Sequence, residues 1–206
     1  MEKPEVTVRP ARREDVDDTA LMLARAFEDD PTVGHLLPRA SSRRRRLRRF
    51  FATLLRKEAL RLGSTEVALV DGRTAGAAIW KPPKQWLPPL GVRLATLPGY
   101  LSCYQLSMLR AISVESVMIA EHPRDEPHWY LQGIGTEPNL QGKGVGTALL
   151  RSQLARVDEE GFAAYLESSN PANVPLYEHF GFEVTGILGL PEGSPQVTKM
   201  WRPAQR

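Results

Sequence analysis

The feature that most constrains this chain is a glycine-rich segment, residues 141–147, which lies between a strand pattern and a helix pattern. Residues 128–136 have strand composition, and apolar residues recur at helical spacing over residues 148–157. In a strand–turn–helix arrangement the amides at the start of the helix point outwards and, with the helix dipole, favour a phosphate or pyrophosphate. Glycines allow the backbone to approach such a ligand closely, and Lys143 would add positive charge. We therefore predict a phosphate-binding turn.

The spacing of this turn differs from that of the two common nucleotide-binding loops. A P-loop requires Ser or Thr after its lysine, whereas Lys143 is followed by Gly144. A dinucleotide loop that began at Gly142 would require a third glycine where Thr147 stands. Only about 60 residues follow the turn, which is too few for a complete doubly wound dinucleotide domain. A glycine-rich turn that serves only the geometry of the chain is the remaining alternative from these residues.

Length and composition are typical of one globular domain, which we expect to span residues 1–206. Of the 206 residues, 42% are hydrophobic, which is enough for a sizeable core. No apolar run approaches the roughly 18 residues that suggest a membrane span. The first five residues lack the layout of a secretion signal, and the single cysteine, Cys103, excludes an intrachain disulfide and a multi-cysteine metal site. We therefore expect a cytoplasmic protein with no metal and no membrane partner.

The basic charge of the chain is concentrated in one segment. The net charge is +3, but six of the 27 basic residues are arginines between positions 43 and 49. Without them, the acidic residues would outnumber the basic ones by three. Leu47, Phe50, Phe51 and Leu54 form an apolar stripe through this segment, which indicates a helix. We expect the arginines to form a solvated surface of that helix, and the isoelectric point therefore does not indicate a polyanion ligand.

Apolar periodicity and turn residues predict the other elements. Residues 82–99 are rich in proline and are predicted to form a loop. Residues 31–38 are predicted to form an ordered loop between the first two helices, and Asp71-Gly72 predicts a hairpin turn. The predicted helices are 16–27, 41–62, 101–121, 148–157 and 174–180, and the predicted strands are 5–9, 66–70, 75–80, 128–136, 163–167, 196–201 and one that begins at 181.

Two motifs in the last third of the chain resemble the GNAT superfamily of N-acetyltransferases. Gln141-x-x-Gly144-x-Gly146 after a strand is similar to the acetyl-CoA pyrophosphate loop of that family. Residues 166–182, with the sequence Leu-Glu-Ser-Ser-Asn-Pro-x-Asn-Val-Pro-x-Tyr-Glu-x-x-Gly-Phe, are similar to a second family motif. Within the superfamily, residues 126–131, 141–144, 184–185 and 191–193 resemble puromycin N-acetyltransferase and related actinobacterial acetyltransferases.

The resemblance implies an α/β (α+β) fold in a single domain, with a central mixed, mostly antiparallel, splayed β-sheet flanked by helices. Residues of about 127–206 would form the CoA-binding half, and helices and loops of about 11–121 the acceptor side. The implied reaction is transfer of the acetyl group of acetyl-CoA to a primary amine, by direct attack in a ternary complex. The acceptor could be a small molecule such as an aminonucleoside or another antibiotic, or a peptide or lysine side chain. Dimers are frequent in the family, so a homodimer is one expected assembly.

The resemblance also implies roles for particular residues. Tyr177 would be the general acid for the departing thiolate, and a backbone amide of Ile134 or Gly135 would donate to the developing oxyanion. Asn170 and Asn173 would contact the pantetheine arm, although capping of the following helix is an equally natural role. The expected acetyl-CoA contacts are Ile134, Gly135, Thr136, Gln141, Gly142, Lys143, Gly144, Val145, Gly146, Thr147, Asn170 and Asn173.

The general base and the acceptor contacts are less strongly indicated by the motifs. Glu167 is the first candidate for the base, and His128, Tyr130 and a water chain are alternatives. The candidate acceptor contacts are Asp30, His35 and Trp80.

Two further possibilities concern residues outside the motifs. A covalent acetyl-enzyme at Cys103 is not expected, because no activating base is near it in sequence. The alternative function from another class is a CoA-responsive regulator that binds nucleic acid through the Arg43–Arg49 helix, although we expect no nucleic-acid partner.

Overall fold

A seven-stranded sheet organises the structure, a computed structural model that describes residues 4–205. Its strand order is β1-β2-β3-β4-β5-β7-β6, and neighbouring strands are antiparallel except β4 and β5, which are parallel. The strands are β1 (Thr7–Pro10), β2 (Thr65–Val70), β3 (Arg73–Lys81), β4 (His128–Thr136), β5 (Ala163–Ser168), β6 (Glu183–Ile187) and β7 (Thr198–Arg202). The helices are α1 (Val16–Ala26), α2 (Pro31–Leu36), α3 (Ala40–Lys57), α4 (Leu90–Tyr104), α5 (Met108–Glu121), α6 (Val145–Glu159) and α7 (Val174–His179).

Helices cover both faces of this sheet, and the predicted fold class is confirmed. Alternate residues of β3 enter two cores: Ala78 and Trp80 pack on the α6 face, whereas Ala77 and Ile79 pack on the face of α1 and α3. This alternation follows from the two-residue period of a strand. Because both faces of the strand are covered, its sequence is an almost continuous apolar run rather than an alternating one.

The sheet opens between β4 and β5, as the predicted splay requires. Their parallel pairing ends where Leu131 lies opposite Leu166. Beyond that point β4 continues to Thr136 beside β3, whereas β5 continues beside β7. The register of β3 and β4 shifts at Gln132, which gives β4 one extra residue and a local bulge. The result is a cleft whose two sides are the unpaired edges of neighbouring strands.

Two segments that proline and glycine suggested to be loops are helical in part, so the loop predictions are wrong for residues 31–36 and 90–99, whereas residues 82–89 are irregular as predicted. Within residues 31–38, α2 forms because the Asp30 carboxylate accepts a hydrogen bond from the Val33 amide at 3.0 Å and Pro31 occupies the first helical position. Within residues 82–99, α4 begins at Leu90 and continues through Pro98. No helix within residues 4–205 is long and apolar enough to cross a membrane.

The predicted single helix over 101–121 is two helices in the structure. The break lies at Gln105, whose backbone has a φ of +48°. A short 3₁₀ turn, Gln105–Ser107, then leads into α5. The chain therefore changes direction between α4 and α5, and residues of both helices line one cavity.

The arginine-rich segment differs from the solvated surface that was predicted. Arg46 is buried, and its guanidinium donates to the carbonyl oxygens of Cys103 and Tyr104 at the end of α4. Arg43 is half-buried and donates to two backbone carbonyls, and Arg44 pairs with Glu28. Only part of the cluster is therefore a solvated surface, because these arginines join α3 to its neighbours.

Candidate active site

The cleft between β4 and β5 is part of one large cavity of about 1270 Å³. The β4 side contributes residues 130–136, and the β5 side contributes residues 166–168. Because the ladder between the strands has ended here, backbone amides and carbonyls on these edges lack a partner strand. An extended polar chain can therefore pair with an edge of the cleft as an additional strand would.

The glycine turn lines this cavity and has the geometry of an anion site. Gly142 and Gly144 have φ values of +72° and +93°, and open space surrounds the position of a Cβ at each. The first hydrogen bond of α6 runs from the Ala148 amide to the Gly144 carbonyl at 2.9 Å. The amides of the three residues between them consequently have no acceptor within the helix. These amides and the dipole of α6 present positive charge at the turn.

Close packing fixes the turn relative to the sheet. A Cβ on Gly76 would lie 2.6 Å from Val145 Cγ1, so the absence of a side chain allows α6 to begin directly against β3. A Cβ on Gly135 would lie 2.8 Å from Leu23 Cδ2, so α1 similarly approaches the end of β4. A side chain at either position would force its neighbours to shift, and the two glycines therefore allow the close spacing of helices and strands around the cleft.

Glu167 lies on β5 just beyond its last pairing with β4. Its carboxylate accepts hydrogen bonds from the Tyr130 hydroxyl at 2.7 Å and the Tyr165 hydroxyl at 3.1 Å. Burial raises the pKa of Glu167 to about 7, although the two tyrosine hydrogen bonds and the charge of Lys199 act to lower it. Lys199 lies opposite Glu167 in the β5–β7 ladder and pairs with Glu121 at 2.8 Å. The site thus holds a carboxyl group that can take up and release a proton near neutral pH.

Tyr177 lies on α7 and also borders the cavity. Its side chain is buried and packs edge-to-face with Phe182, at a ring-centroid distance of 6.1 Å. Burial, and then the negative charge of Asp30, raises the pKa of Tyr177 above its usual value. The hydroxyl therefore remains a hydrogen-bond donor at neutral pH.

Most of the residues predicted as acetyl-CoA contacts lie along this one cavity. Asn170 also caps the 3₁₀ turn before α7, because its side chain accepts from the Ala172 amide at 3.0 Å. Lys143 lies in the turn but outside the cavity lining. The cavity-lining members of the predicted set are Ile134, Gly135, Thr136, Gln141, Gly142, Gly144, Val145, Gly146, Thr147, Asn170 and Asn173.

Of the three predicted acceptor contacts, only one lines the cavity. Asp30 lines the cavity, but its carboxylate also caps α2 and accepts from the Ser169 hydroxyl at 2.5 Å. His35 lies outside the cavity lining, with its Nε2 3.5 Å from the Ser194 hydroxyl. Trp80 is wholly buried in the core on the α6 face, so its prediction as an acceptor contact is wrong. The apolar run of β3 gave no indication of which face each residue would occupy.

His128, the alternative base, lies behind the cavity rather than in its wall. Its Nδ1 is 2.7 Å from the Glu126 carbonyl, and its Nε2 is 3.1 Å from Nε2 of His122. Burial lowers the pKa of His128, and burial together with the charge of His128 lowers the pKa of His122 to about 3. His122, not His128, lines the cavity, where its ring stacks on Trp86 at 3.9 Å.

Several residues that support the site were missed from the sequence. Tyr165 lies outside the cavity lining but donates a hydrogen bond to Glu167. Strand periodicity could have indicated it, since positions 165 and 167 of β5 share one face. The buried ion pair between Glu58 and Lys81 was not signalled, because the two residues are far apart in the chain. Lys81 also donates to the Trp86 carbonyl at 2.9 Å, and it thereby holds the proline-rich segment against the cavity.

Neither a metal centre nor a reactive thiol is evident at this site. Within residues 4–205 there is no cluster of three or more His, Cys, Asp or Glu side chains that could hold a metal ion. Cys103 is buried at the cavity wall, and burial raises the pKa of its thiol to about 11. The neutral thiol is a poor nucleophile at physiological pH.

Comparisons with known proteins agree with this geometry. An uncharacterized N-acetyltransferase of Schizosaccharomyces pombe is 39% identical over 74 residues, which are 36% of this chain and 30% of that protein. A mycothiol acetyltransferase of Propionibacterium freudenreichii is 41% identical over 54 residues, 25% of this chain and 17% of that protein. The chain thus matches less than a third of the length of either relative.

A solved structure matches over nearly the whole chain. It is described as a histone acetyltransferase HPA2 and related acetyltransferase from Corynebacterium glutamicum, with 27% identity, a TM-score of 0.76, and coverage of 98% of this chain and 97% of that one. The family model described as the acetyltransferase (GNAT) family matches residues 38–182, which include the glycine turn, the cleft and Tyr177. The chain therefore belongs to the GNAT family of acetyltransferases.

Proposed function

We propose that this protein is an N-acetyltransferase that transfers the acetyl group of acetyl-CoA to the primary amine of a small molecule, by direct attack in a ternary complex. The observation that carries the proposal is that Glu167 and Tyr177 line the same cavity as the glycine turn before α6. GNAT acetyltransferases use acetyl-CoA, and we propose that residues 4–205 form one such domain. Its CoA side would be formed by residues from about 127 onwards and its acceptor side by residues of about 11–121.

The described residues fit an acetyl-CoA molecule. The turn at Gly142 and Gly144 leaves open space where side chains would obstruct a pyrophosphate, and its amides and helix dipole complement negative charge. The unpaired edge of β4 offers strand-like hydrogen bonds to the amide groups of a pantetheine arm. Bound there, acetyl-CoA would supply an activated acetyl group as a thioester, while the protein supplies orientation and proton transfer.

Glu167 is proposed as the general base. An alkylamine is protonated at neutral pH, and it becomes a nucleophile only after it loses a proton. A carboxyl group with a pKa of about 7 is well matched to accept that proton, directly or through one water molecule. The hydrogen bonds from Tyr130 and Tyr165 hold the carboxylate in one orientation while it does so.

The oxyanion and the leaving sulfur are proposed to be stabilised from opposite sides of the cleft. A backbone amide of Ile134 or Gly135, on the unpaired edge of β4, would donate to the carbonyl oxygen as negative charge develops. The Tyr177 hydroxyl would donate to the departing sulfur and provide its proton. Direct transfer is favoured over a covalent intermediate because burial raises the thiol pKa of Cys103 to about 11.

The nucleic-acid alternative loses its basis in the structure of α3. Arg43 and Arg46 donate to backbone carbonyls, and Arg44 pairs with Glu28, so half of the arginine cluster is already engaged within the chain. A phosphate backbone would have to compete with these contacts. The peptide-lysine alternative has no such structural objection, and it is included in the test.

The experiment that tests the proposal is a thiol-release assay with saturating acetyl-CoA and a panel of acceptors, with mass spectrometry of the products. The panel contains puromycin, simple alkylamines, aminoglycosides, polyamines and lysine peptides, and a reaction without acceptor corrects for hydrolysis. We expect amine-dependent thiol release with an N-acetylated small-molecule product. Release that is independent of every amine, or products only on peptides, would contradict the proposal.

A further inference from the structure

The acceptor side of the cavity has a wall of large aliphatic side chains that remain exposed. Four of them follow one another along the start of α4 and the segment before it, and one comes from α5. The exposed fractions are 40% for Leu87, 69% for Leu90, 60% for Leu94, 40% for Leu97 and 48% for Ile112, and all five line the same cavity as Glu167. Exposure of this much contiguous apolar surface in a cavity indicates a surface that a ligand covers.

The leucines are exposed because α4 packs on α3 through another face. Val92, Thr96 and Cys103 are the buried residues of α4. Gly99 lies so close to α3 that a Cβ would come within 2.2 Å of the Thr53 hydroxyl. Leu90, Leu94 and Leu97 are spaced four and three residues apart and therefore share one helix face, away from the α3 contact. That face borders the cavity.

The inner wall of the acceptor side is aromatic. Phe50 stacks on Tyr100 at a centroid distance of 5.2 Å and meets Tyr104 edge-on at 6.0 Å. All three line the cavity together with Phe51. Burial raises the pKa of both tyrosines above their usual value, so these rings are uncharged at physiological pH. This aromatic part of the cavity wall is thus suited to an apolar group.

The charges that border the cavity are predominantly negative. Its lining includes five carboxylates, contributed by Asp29, Asp30, Glu58, Glu115 and Glu167, against the three cations Arg25, Lys81 and Arg93. Lys81 pairs with Glu58, so these two charges cancel, and Arg25 pairs with Glu137; four carboxylates and Arg93 remain. The net field therefore attracts a cation, and an ammonium group approaching Glu167 would be favoured.

We propose that the acceptor is a bulky, largely apolar primary amine whose ammonium group approaches Glu167 and whose apolar body lies against Leu90, Leu94 and Leu97 of α4. This inference rests on the proposed function, since it names the substrate class of the same site. The three leucines would be specificity-determining residues, because covering them with an apolar body removes their side chains from water. A polyamine or a strongly polar amino sugar would leave them exposed.

The test is the acetylation of a homologous series of straight-chain amines from propylamine to octylamine, compared with agmatine and a lysine peptide. Each methylene that becomes buried should raise kcat/KM about fourfold, until the wall is covered. The variants Leu94→Ser and Leu97→Ser should raise KM for octylamine about tenfold and leave propylamine nearly unchanged. Leu106→Ser and Leu109→Ser are matched controls, because those leucines are 91% and 82% exposed but lie outside this cavity.

A second measurement separates the inference from the function on which it rests. Binding of N,N-dimethyloctylamine and N,N-dimethylpropylamine, which cannot form a stable amide, is measured by calorimetry in the presence of CoA. Tighter binding of the octyl compound that is weakened in Leu94→Ser supports the inference even if no amine is acetylated, in which case only the proposed function fails. Acetylation with a flat chain-length dependence, or with agmatine or the peptide preferred, overturns the inference and leaves the function standing. A dimer that buries these leucines, with no effect of Leu94→Ser on either measurement, also overturns it.

Discussion

The Tyr130 hydroxyl donates to Glu167 Oε2 across 2.7 Å, and this hydrogen bond joins β4 to β5 at the point where their backbone pairing ends. The bond therefore fixes a carboxylate at the mouth of the cleft rather than inside the sheet. Burial raises the pKa of that carboxyl to about 7, while the hydrogen bond acts in the opposite direction. The balance between these two effects sets the pH at which the proposed base is active.

Replacement of the proposed base should remove most of the activity. For Glu167→Gln we expect kcat to fall about 100-fold at pH 7.5, because the amide cannot accept the proton of the amine. The wild-type enzyme should gain activity as the pH rises through about 7, since only the ionised carboxylate is a base. This rise of activity with pH, the acidic limb of the pH–rate profile, should be absent in the variant. The affinity of the variant for CoA should be unchanged. A variant with an unchanged pH–rate profile would exclude Glu167 as the base.

The hydrogen bond from Tyr130 should influence the pH at which Glu167 titrates. The hydrogen bond from Tyr130 lowers the pKa of Glu167, so Tyr130→Phe should raise that pKa and shift the acidic limb of kcat/KM to higher pH. Activity should therefore fall most near neutral pH and recover at higher pH. Tyr165→Phe should shift the limb less, because its hydrogen bond is longer, at 3.1 Å. A uniform loss across all pH values would instead indicate a structural effect of Tyr130.

Removal of the Tyr177 hydroxyl should affect chemistry more than binding. Tyr177→Phe keeps the ring that packs on Phe182 but removes the proposed proton donor to sulfur. We expect kcat to fall about 100-fold, whereas the Kd of CoA changes less than threefold. Rapid-quench kinetics and calorimetry measure the two quantities separately. Equal turnover by the variant and the wild type would refute the role of this hydroxyl.

The glycine turn offers a matched pair of substitutions. Gly142→Ala and Gly63→Ala each place a side chain on a backbone with a φ near +70°, and open space surrounds both positions. Each should lower the free energy of unfolding by about 1 kcal/mol. Only Gly142→Ala should also weaken CoA binding, by about tenfold, because its methyl group would obstruct the approach to the turn. Equal CoA affinity of the two variants would show that this turn does not contact the ligand.

Turns and helix starts could be predicted from the sequence, because their backbone conformations favour particular residues. The strand–turn–helix segment around Gly144 was predicted because a backbone with positive φ favours glycine, and the helix that follows has apolar residues at helical spacing. The hairpin at Asp71-Gly72 was predicted for the same reason, and both residues have positive φ values. The position of the glycine turn at the start of α6 therefore followed from the sequence.

Packing decided the features that the sequence did not predict. Pro98 suggested a loop, yet α4 passes through it and packs closely on α3 where Gly99 meets Thr53. Trp80 was predicted to face the acceptor, but the sequence of a strand that is covered on both faces does not distinguish them. Arg46 was predicted to be solvated, and its burial depends on carbonyl acceptors more than 50 residues away in the chain.

The burial of Arg46 leads us to predict that its replacement destabilises the protein, and the exposed Arg48 in the same helix provides a control. The Arg46 guanidinium donates to the carbonyls of Cys103 and Tyr104, which end α4. Arg46→Met keeps much of the aliphatic stem but removes both hydrogen bonds from the charged group, and it should lower the free energy of unfolding by about 2–4 kcal/mol. Arg48→Met removes an exposed arginine two positions away and should change it by less than about 0.5 kcal/mol. Urea unfolding of both variants measures the difference, and equal stabilities would show that the guanidinium of Arg46 does not anchor α4.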